Sequence, residues 1–360
     1  MIKEVRAWEI LLACFGSNGV WADPTRYRNQ CWTRDFAFAI QPFLLARGHT
    51  KMARKHLINL SARVREDGRV PILYLDNEQE FVAEKERKSK ESGKPSFMLT
   101  RYREGELWNL TPGTKDSEIL YLLAMFEYAM GSGDGSLLEA FEREINQTLN
   151  YVAKNLVADG LVHGADWRDT MHIELADKAL LTNNSIWYAA VKGLDSVGHL
   201  EDMDHAERIR EKLLQTHFTP DLLDDYPGRK RFDPLGASLA VLYDVVDKSR
   251  YDTVLAGFRS VDSPAGVTIH CKHNPLNAEE AAVIERTDGQ VVWPFIVGFS
   301  VLALLKMGSS MADAQFRKLE ALEGFREWYD PETGKGYGAE QQLWSATLYL
   351  RALKAMTDQG

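Results

Sequence analysis

Three carboxylates in this sequence stand beside aromatic side chains in a way that suits acid–base work. Asp166 and Asp169 flank Trp167 and Arg168 in the run GADWRD, and Glu327 precedes Trp328 and Tyr329. An indole or phenol against a carboxyl group limits its hydration and favours its neutral form. Hydrolysis of a glycosidic bond needs one such acid to protonate the leaving oxygen. A second carboxylate then activates water or attacks carbon, and the two stand roughly 6.5–9.5 Å apart when water is the nucleophile.

Other segments add what a sugar site requires, a flat apolar surface with a rim of bidentate polar groups. Trp21 leads into YRNQCWTRDFAF at 27–38, which brings Tyr27, Trp32, Arg34 and Asp35 to the start of an apolar stretch. QVVWPF at 290–295 sets Trp293 just before a proline, and the segment from 325 to 350 carries Glu340 and Trp344 after its turn DPETGKGYG. Each has a plainer explanation. Thr33 or Asp35 can cap a helix, Trp293 can be core beside a first-turn proline, and Glu340 can be a first-turn acid favoured by the helix dipole. Trp187 and Tyr188 divide evenly between pocket and core. His163 and His172, which an epimerase would use, read as structural.

Helical periodicity dominates the elements that must hold these residues. Helices are expected near 4–15, 34–47, 50–64, 115–131, 136–155, 182–197, 201–217, 234–247, 249–258, 293–307, 311–323 and 339–355. Ile119, Leu122, Leu123, Phe126 and Met130 form one apolar stripe, and Leu343, Ala346, Thr347, Leu350 and Leu353 another. Strand-like runs are limited to Val70–Leu75 and Val267–His270. Twelve helices in close pairs suggest an all-α toroid of six inner and six outer helices. Inner ones should be apolar nearly all round, as 291–305 is. Functional residues should then cluster in the loops at one rim.

No linker or composition step divides residues 1–360, so one catalytic domain is expected. The basic run KERKSKESGK reads as part of a charged mobile loop near 78–96, a solvated segment or a lid. A net charge of −9 disfavours nucleic acid and anionic membranes as partners. No apolar run is long enough to span a bilayer. Glu9 interrupts the N-terminal apolar stretch, which reads as an amphipathic helix and not as a signal peptide. The three cysteines, Cys14, Cys31 and Cys271, are odd in number and scattered, which points to a reducing, cytoplasmic setting.

Three segments resemble known enzymes, in order along the chain. WTRDFAFAI at 32–40, after Tyr27 and Arg28, resembles the W-x-R-D substrate-binding segment of the glucoamylase-like six-hairpin glycosidases. ADWRDTM at 165–171, with TNNSIWYAA at 182–190, is similar to the region around the general acid in glycogen-debranching amylo-α-1,6-glucosidases and neutral invertases. REWYDPETGKGYGAEQQLWSA at 326–346 is similar to the C-terminal segment of glucoamylases and neutral invertases, where the glutamate before two aromatics is the base. The resemblance implies a single-domain (α/α)6 toroid and an exo-acting, inverting glycosidase without metal or cofactor. Its substrate would be an oligosaccharide or small glycoside, with an α-glucoside as first choice. Sucrose hydrolysis, or sugar binding without turnover, is the alternative. It assigns the acid to Asp169 by the W-x-D reading, with Asp166 behind it, and the base to Glu327. Tyr27, Trp32, Arg34, Asp35, Asp166, Trp167, Arg168, Trp293, Glu340 and Trp344 would hold the sugar. The segment departs from glucoamylase at Arg168, where that enzyme has a glutamate.

Overall fold

The computed structural model describes residues 2–40, 48–199, 205–218, 223–272 and 274–358. Six helices form an inner ring: Thr33–Ala39, Ser117–Ser132, Leu181–Ser196, Pro234–Leu242, Pro294–Lys306 and Leu343–Thr357. Each packs on the next, and the sixth closes on the first. Outer helices lie against them. Ile2–Ala13 packs on the sixth, Thr50–Ser61 on the second, His205–His217 on the third, Tyr251–Ser260 on the fourth and Met311–Ala321 on the fifth. This is the (α/α)6 toroid.

The two rings differ in sequence because they differ in environment. Every residue from Pro294 to Leu304 in the fifth inner helix is buried, so that helix is apolar all round. In Met311–Ala321, outside it, only Ala312, Gln315, Phe316 and Leu319 are buried, one face at helical spacing. All twelve expected helices have counterparts among the described residues. Residues 41–47 and 201–204 of two of them lie outside that range. The stretch 136–155 is broken into Ser136–Ala140, Glu142–Tyr151 and a π-helical turn at Val152–Leu156.

The expectation of a loop near 78–96 is corrected. Glu78–Ser92 is an α-helix, capped by the Asn77 side chain accepting from the Glu80 N–H, and ended by Gly93 in the left-handed region at φ 66°. Glutamate and lysine are good helix formers, and the run needs no apolar face because it buries only Phe81 and Lys85. Phe97–Arg103 and Ala278–Arg286 are further helices outside the expected set.

Short antiparallel ladders fix the chain at one end of the ring. Gln30–Trp32 pairs with Leu73–Leu75, Ile269–His270 with Gln290–Val291, and Trp328–Tyr329 with Gly336–Tyr337. A ladder strand ends at Trp32, directly before the first inner helix, another at Val291, with two residues between it and the fifth, and another at Tyr337, with five residues between it and the sixth. The segments they carry therefore overhang the same rim, the end where those inner helices begin.

Candidate active site

At that rim lies a cavity of about 260 Å³. Trp32 and Trp293, the residues before the first and fifth inner helices, line it, as do Gln342 and Trp344 at the start of the sixth. The loop 165–171 supplies Trp167, Arg168, Asp169 and Thr170, and the sixth hairpin supplies Glu327, Trp328 and Gly338. Helix N-termini carry partial positive charge, so their convergence suits a cavity rich in carboxylates.

Three indoles form the floor. Trp167 lies edge-on to Trp293 at 4.9 Å between ring centres, Trp293 to Trp344 at 5.9 Å, and Phe295 stacks behind Trp344 at 4.2 Å. The indole N–H groups of Trp167 and Trp344 are buried and have no acceptor among the described residues. Such donors are costly to bury empty-handed, and a hydroxyl-rich ligand would satisfy them.

Asp169 sits in a 3-10 turn, Asp169–Met171, and its carboxylate accepts from Arg34 Nη1 at 2.7 Å and from the Thr111 hydroxyl at 3.1 Å. Arg34 is itself buried and shared, its Nε lying 3.1 Å from Asp116. Burial holds Asp116 up at about 6, with Asp169 and Asp166 adding to it and Arg34 opposing. Asp35, one residue on, accepts from Gln342 Nε2 at 2.8 Å. Burial pushes the Asp35 carboxyl up to about 8 against the pull of Arg34, and the charges of Glu327 and Asp169 raise it further.

Glu327 accepts from the Ala339 N–H at 2.8 Å and the Tyr27 hydroxyl at 3.3 Å, with Arg26 Nη1 3.7 Å away. Its pKa is raised by burial, which outweighs Arg26 and the two hydrogen bonds. Gly338 makes this close fit possible. It has φ +75°, and a Cβ there would stand 2.5 Å from Glu327 Oε2.

Ten of the twelve residues singled out in the sequence line the cavity, and two do not. Asp166 is fully buried behind the wall, paired bidentately with Arg168 at 2.9 Å on each oxygen. Arg168 then pairs with both oxygens of Asp225, at 2.8 and 2.9 Å. The Arg168 side chain borders the cavity, but its guanidinium is spent on tying the loop 165–171 to the loop before the fourth inner helix. Glu340 points to the outer surface and pairs with Arg326 at 3.1 Å. It lies in the bend before the sixth inner helix, which begins only at Leu343, so it is not the first-turn acid of that helix. Trp187 is core, His163 Nδ1 meets the Asp177 carbonyl, and His172 Nδ1 accepts from the Gly113 N–H.

Further lining residues come from places the sequence did not flag: Arg26, Gln342, Lys272, Asn274, Leu276 and Glu280. Gln342 is inside a recognised segment, and Arg26 stands one residue before another. The other four ride on the excursion 271–289, whose helix-forming composition carries no chemical signal. Among the described residues no group of three or more His, Cys, Asp or Glu could hold a metal ion. The cysteines are free and buried, and no described helix is long and apolar enough to cross a membrane.

No protein-family model matches the chain, and no curated protein matches it in sequence. Solved structures do match in fold. A structure named as a wild-type glycosidase is 14% identical over 99% of this chain and 96% of its own, with a TM-score of 0.67. A variant glycosidase in complex with glucose matches over the same shares at 15% identity and a TM-score of 0.67. The GH63 mannosylglycerate hydrolase of Thermus thermophilus, also in complex with glucose, is 16% identical over 96% of this chain and 98% of its own, with a TM-score of 0.68. Across nearly its whole length, then, this chain has the six-hairpin toroid fold of these glycosidases.

Proposed function

We propose that the protein is a glycoside hydrolase that removes a terminal sugar from a small glycoside with inversion at the anomeric carbon. The observation that carries this reading is one cavity, floored by three indoles, into which both Asp169 and Glu327 open. The shared fold with glycosidases, two of them bound to glucose, supports it.

Asp169 is the general acid, giving its proton to the glycosidic oxygen as the bond to the anomeric carbon breaks. Arg34 and Thr111 fix the direction of its carboxyl. Glu327 takes a proton from a water that attacks the same carbon from the opposite face, and Tyr27 and the Ala339 N–H aim it. Burial raises its basicity. Asp35 and Gln342 bond the sugar's hydroxyls, and the Trp167 and Trp344 N–H groups donate to its oxygens. Trp32 and Trp293 offer apolar faces to the ring. The small volume of the cavity, about 260 Å³, favours one terminal sugar over a long chain. An α-glucoside is the first substrate to try.

Proton NMR of products from α-glucosides, α-mannosides and sucrose tests this. Release of free sugar, first in the anomeric form opposite to the substrate's, is expected. Retention would make Glu327 a nucleophile, and binding without release across the panel would make the toroid a sugar-binding protein.

A further inference from the structure

A groove of about 390 Å³ opens beside the cavity and shares Arg26 and Tyr27 with it. The helix Glu78–Ser92 and the start of Phe97–Arg103 form its far wall. Lys85, Lys88 and Lys94 line it together with Arg26, and no acidic side chain does. In a protein with net charge −9 this is a local reversal of sign.

These four cations outnumber the carboxylates beside them, and Glu327, 3.7 Å from Arg26, is one of those. Glu84 is the carboxylate nearest to two of them, ion-paired with Lys88 and 3.7 Å from Lys85 Nζ. The other acids of that helix are engaged elsewhere: Glu78 with the Tyr102 hydroxyl, Glu86 with Arg103, Glu91 with Arg87, and Glu80 with Arg28 and Asn77. Among the described residues no carboxylate is within ion-pair distance of Lys94. Lys85 is only 8% exposed, so its ammonium lacks the water that would screen it. Burial lowers its pKa; Glu84 opposes this by charge and hydrogen bond, and the positive charges of Lys88 and Arg26 add to the lowering. Like charges held together at such cost are relieved by an anion. The Ser92 and Ser96 hydroxyls lie in the same lining.

We propose that this groove is a subsite for an anionic group, a carboxylate or phosphate, carried by the ligand whose sugar occupies the cavity. The substrate class is then an acidic glycoside. This rests on the glycosidase reading for the identity of the sugar site. Arg26 and Tyr27 line both, so the cavity and the groove adjoin, and the proposed ligand spans the two.

Calorimetric titration at low salt compares glucose with glucuronate, where the charge is on the sugar, and para-nitrophenyl with para-carboxyphenyl α-glucoside, where it is on the leaving group. At least one carboxylated ligand is expected to bind about tenfold or more tightly than its neutral partner, the worth of one charge-assisted contact. That advantage should shrink as salt is raised and vanish in a K88M/K94M double variant, with affinity for the neutral partner unchanged. Both lysines are surface side chains, and the salt dependence of the unaltered protein tests the same point without any substitution. Equal affinities, or an advantage that survives both salt and substitution, would overturn the subsite. Hydrolysis of neutral glucosides with no anionic advantage would sink the subsite and leave the glycosidase. A salt-sensitive anionic advantage with no hydrolysis would do the reverse.

Discussion

Arg26 stands 3.7 Å from Glu327 and draws its pKa down, against the burial that raises it. An Arg26→Gln substitution removes the opposing charge, so the Glu327 pKa should rise further. A base must be ionised to work, and the acidic limb of the kcat/KM profile should therefore move to higher pH. An unmoved limb would mean that Glu327 is not the base. Gly338→Ala drives a methyl group to 2.5 Å from Glu327 Oε2 at a backbone angle that disfavours alanine. A loss of kcat larger than the loss of stability is expected there, read from kinetics and thermal melts together. The choice between Asp166 and Asp169 was not legible in the sequence. Both flank Trp167, and the pattern is nearly symmetric about it. What separates them is Asp225, a distant residue that completes the pair with Arg168 and locks Asp166 into the wall. Arg168→Met strands two buried carboxylates and should cost about 3–5 kcal/mol in denaturant unfolding. A cost near zero would show that the pair is not held as described.

At the scale of elements, strong apolar periodicity was readable and polar helices were not. The inner helices announced themselves because both faces are buried, and the outer ones because one face is. Glu78–Ser92 has no such stripe, so its charged run looked like a loop. Its helix signals were local: Asn77 three residues before Glu80, a run of Glu and Lys, and Gly93 at the end. Asn77→Ala should destabilise by about 1 kcal/mol, and the cost should appear in local hydrogen exchange of residues 78–92 before it appears in global unfolding. The excursion 271–289 was missed for a different reason. Its ladder, Ile269–His270 with Gln290–Val291, pairs residues on either side of a helix, and pairing across such a gap leaves no trace in a local pattern.

Asp35, Glu118 and Asp233 are buried carboxyl groups at the starts of inner helices, and this has a consequence for stability. Burial holds Asp35 at about 8 and Glu118 at about 7, and raises Asp233 as well. Groups with a folded pKa above the unfolded one bind more protons in the native state. Stability then falls as pH rises, until the folded pKa is passed. The buried His56 and His217 have lowered values and act in the opposite sense, but only below about 6.5, their unfolded value. Between about pH 6.5 and 8 the carboxyls act without that opposition. Thermal stability should decline across this window, and Asp35→Asn should flatten the decline while weakening sugar binding. A flat or rising profile in the unaltered protein would contradict the burial of these groups as neutral acids.

The central claim is that two carboxylates, Asp169 and Glu327, break a glycosidic bond in the cavity at the rim of this toroid. Single-turnover hydrolysis of the best substrate from the panel, by the unaltered enzyme and by Asp169→Asn and Glu327→Gln, tests it most directly. Each variant should lose about 10²–10⁴-fold in the bond-breaking step, with substrate affinity nearly unchanged. Turnover close to that of the unaltered enzyme in either variant would contradict the claim.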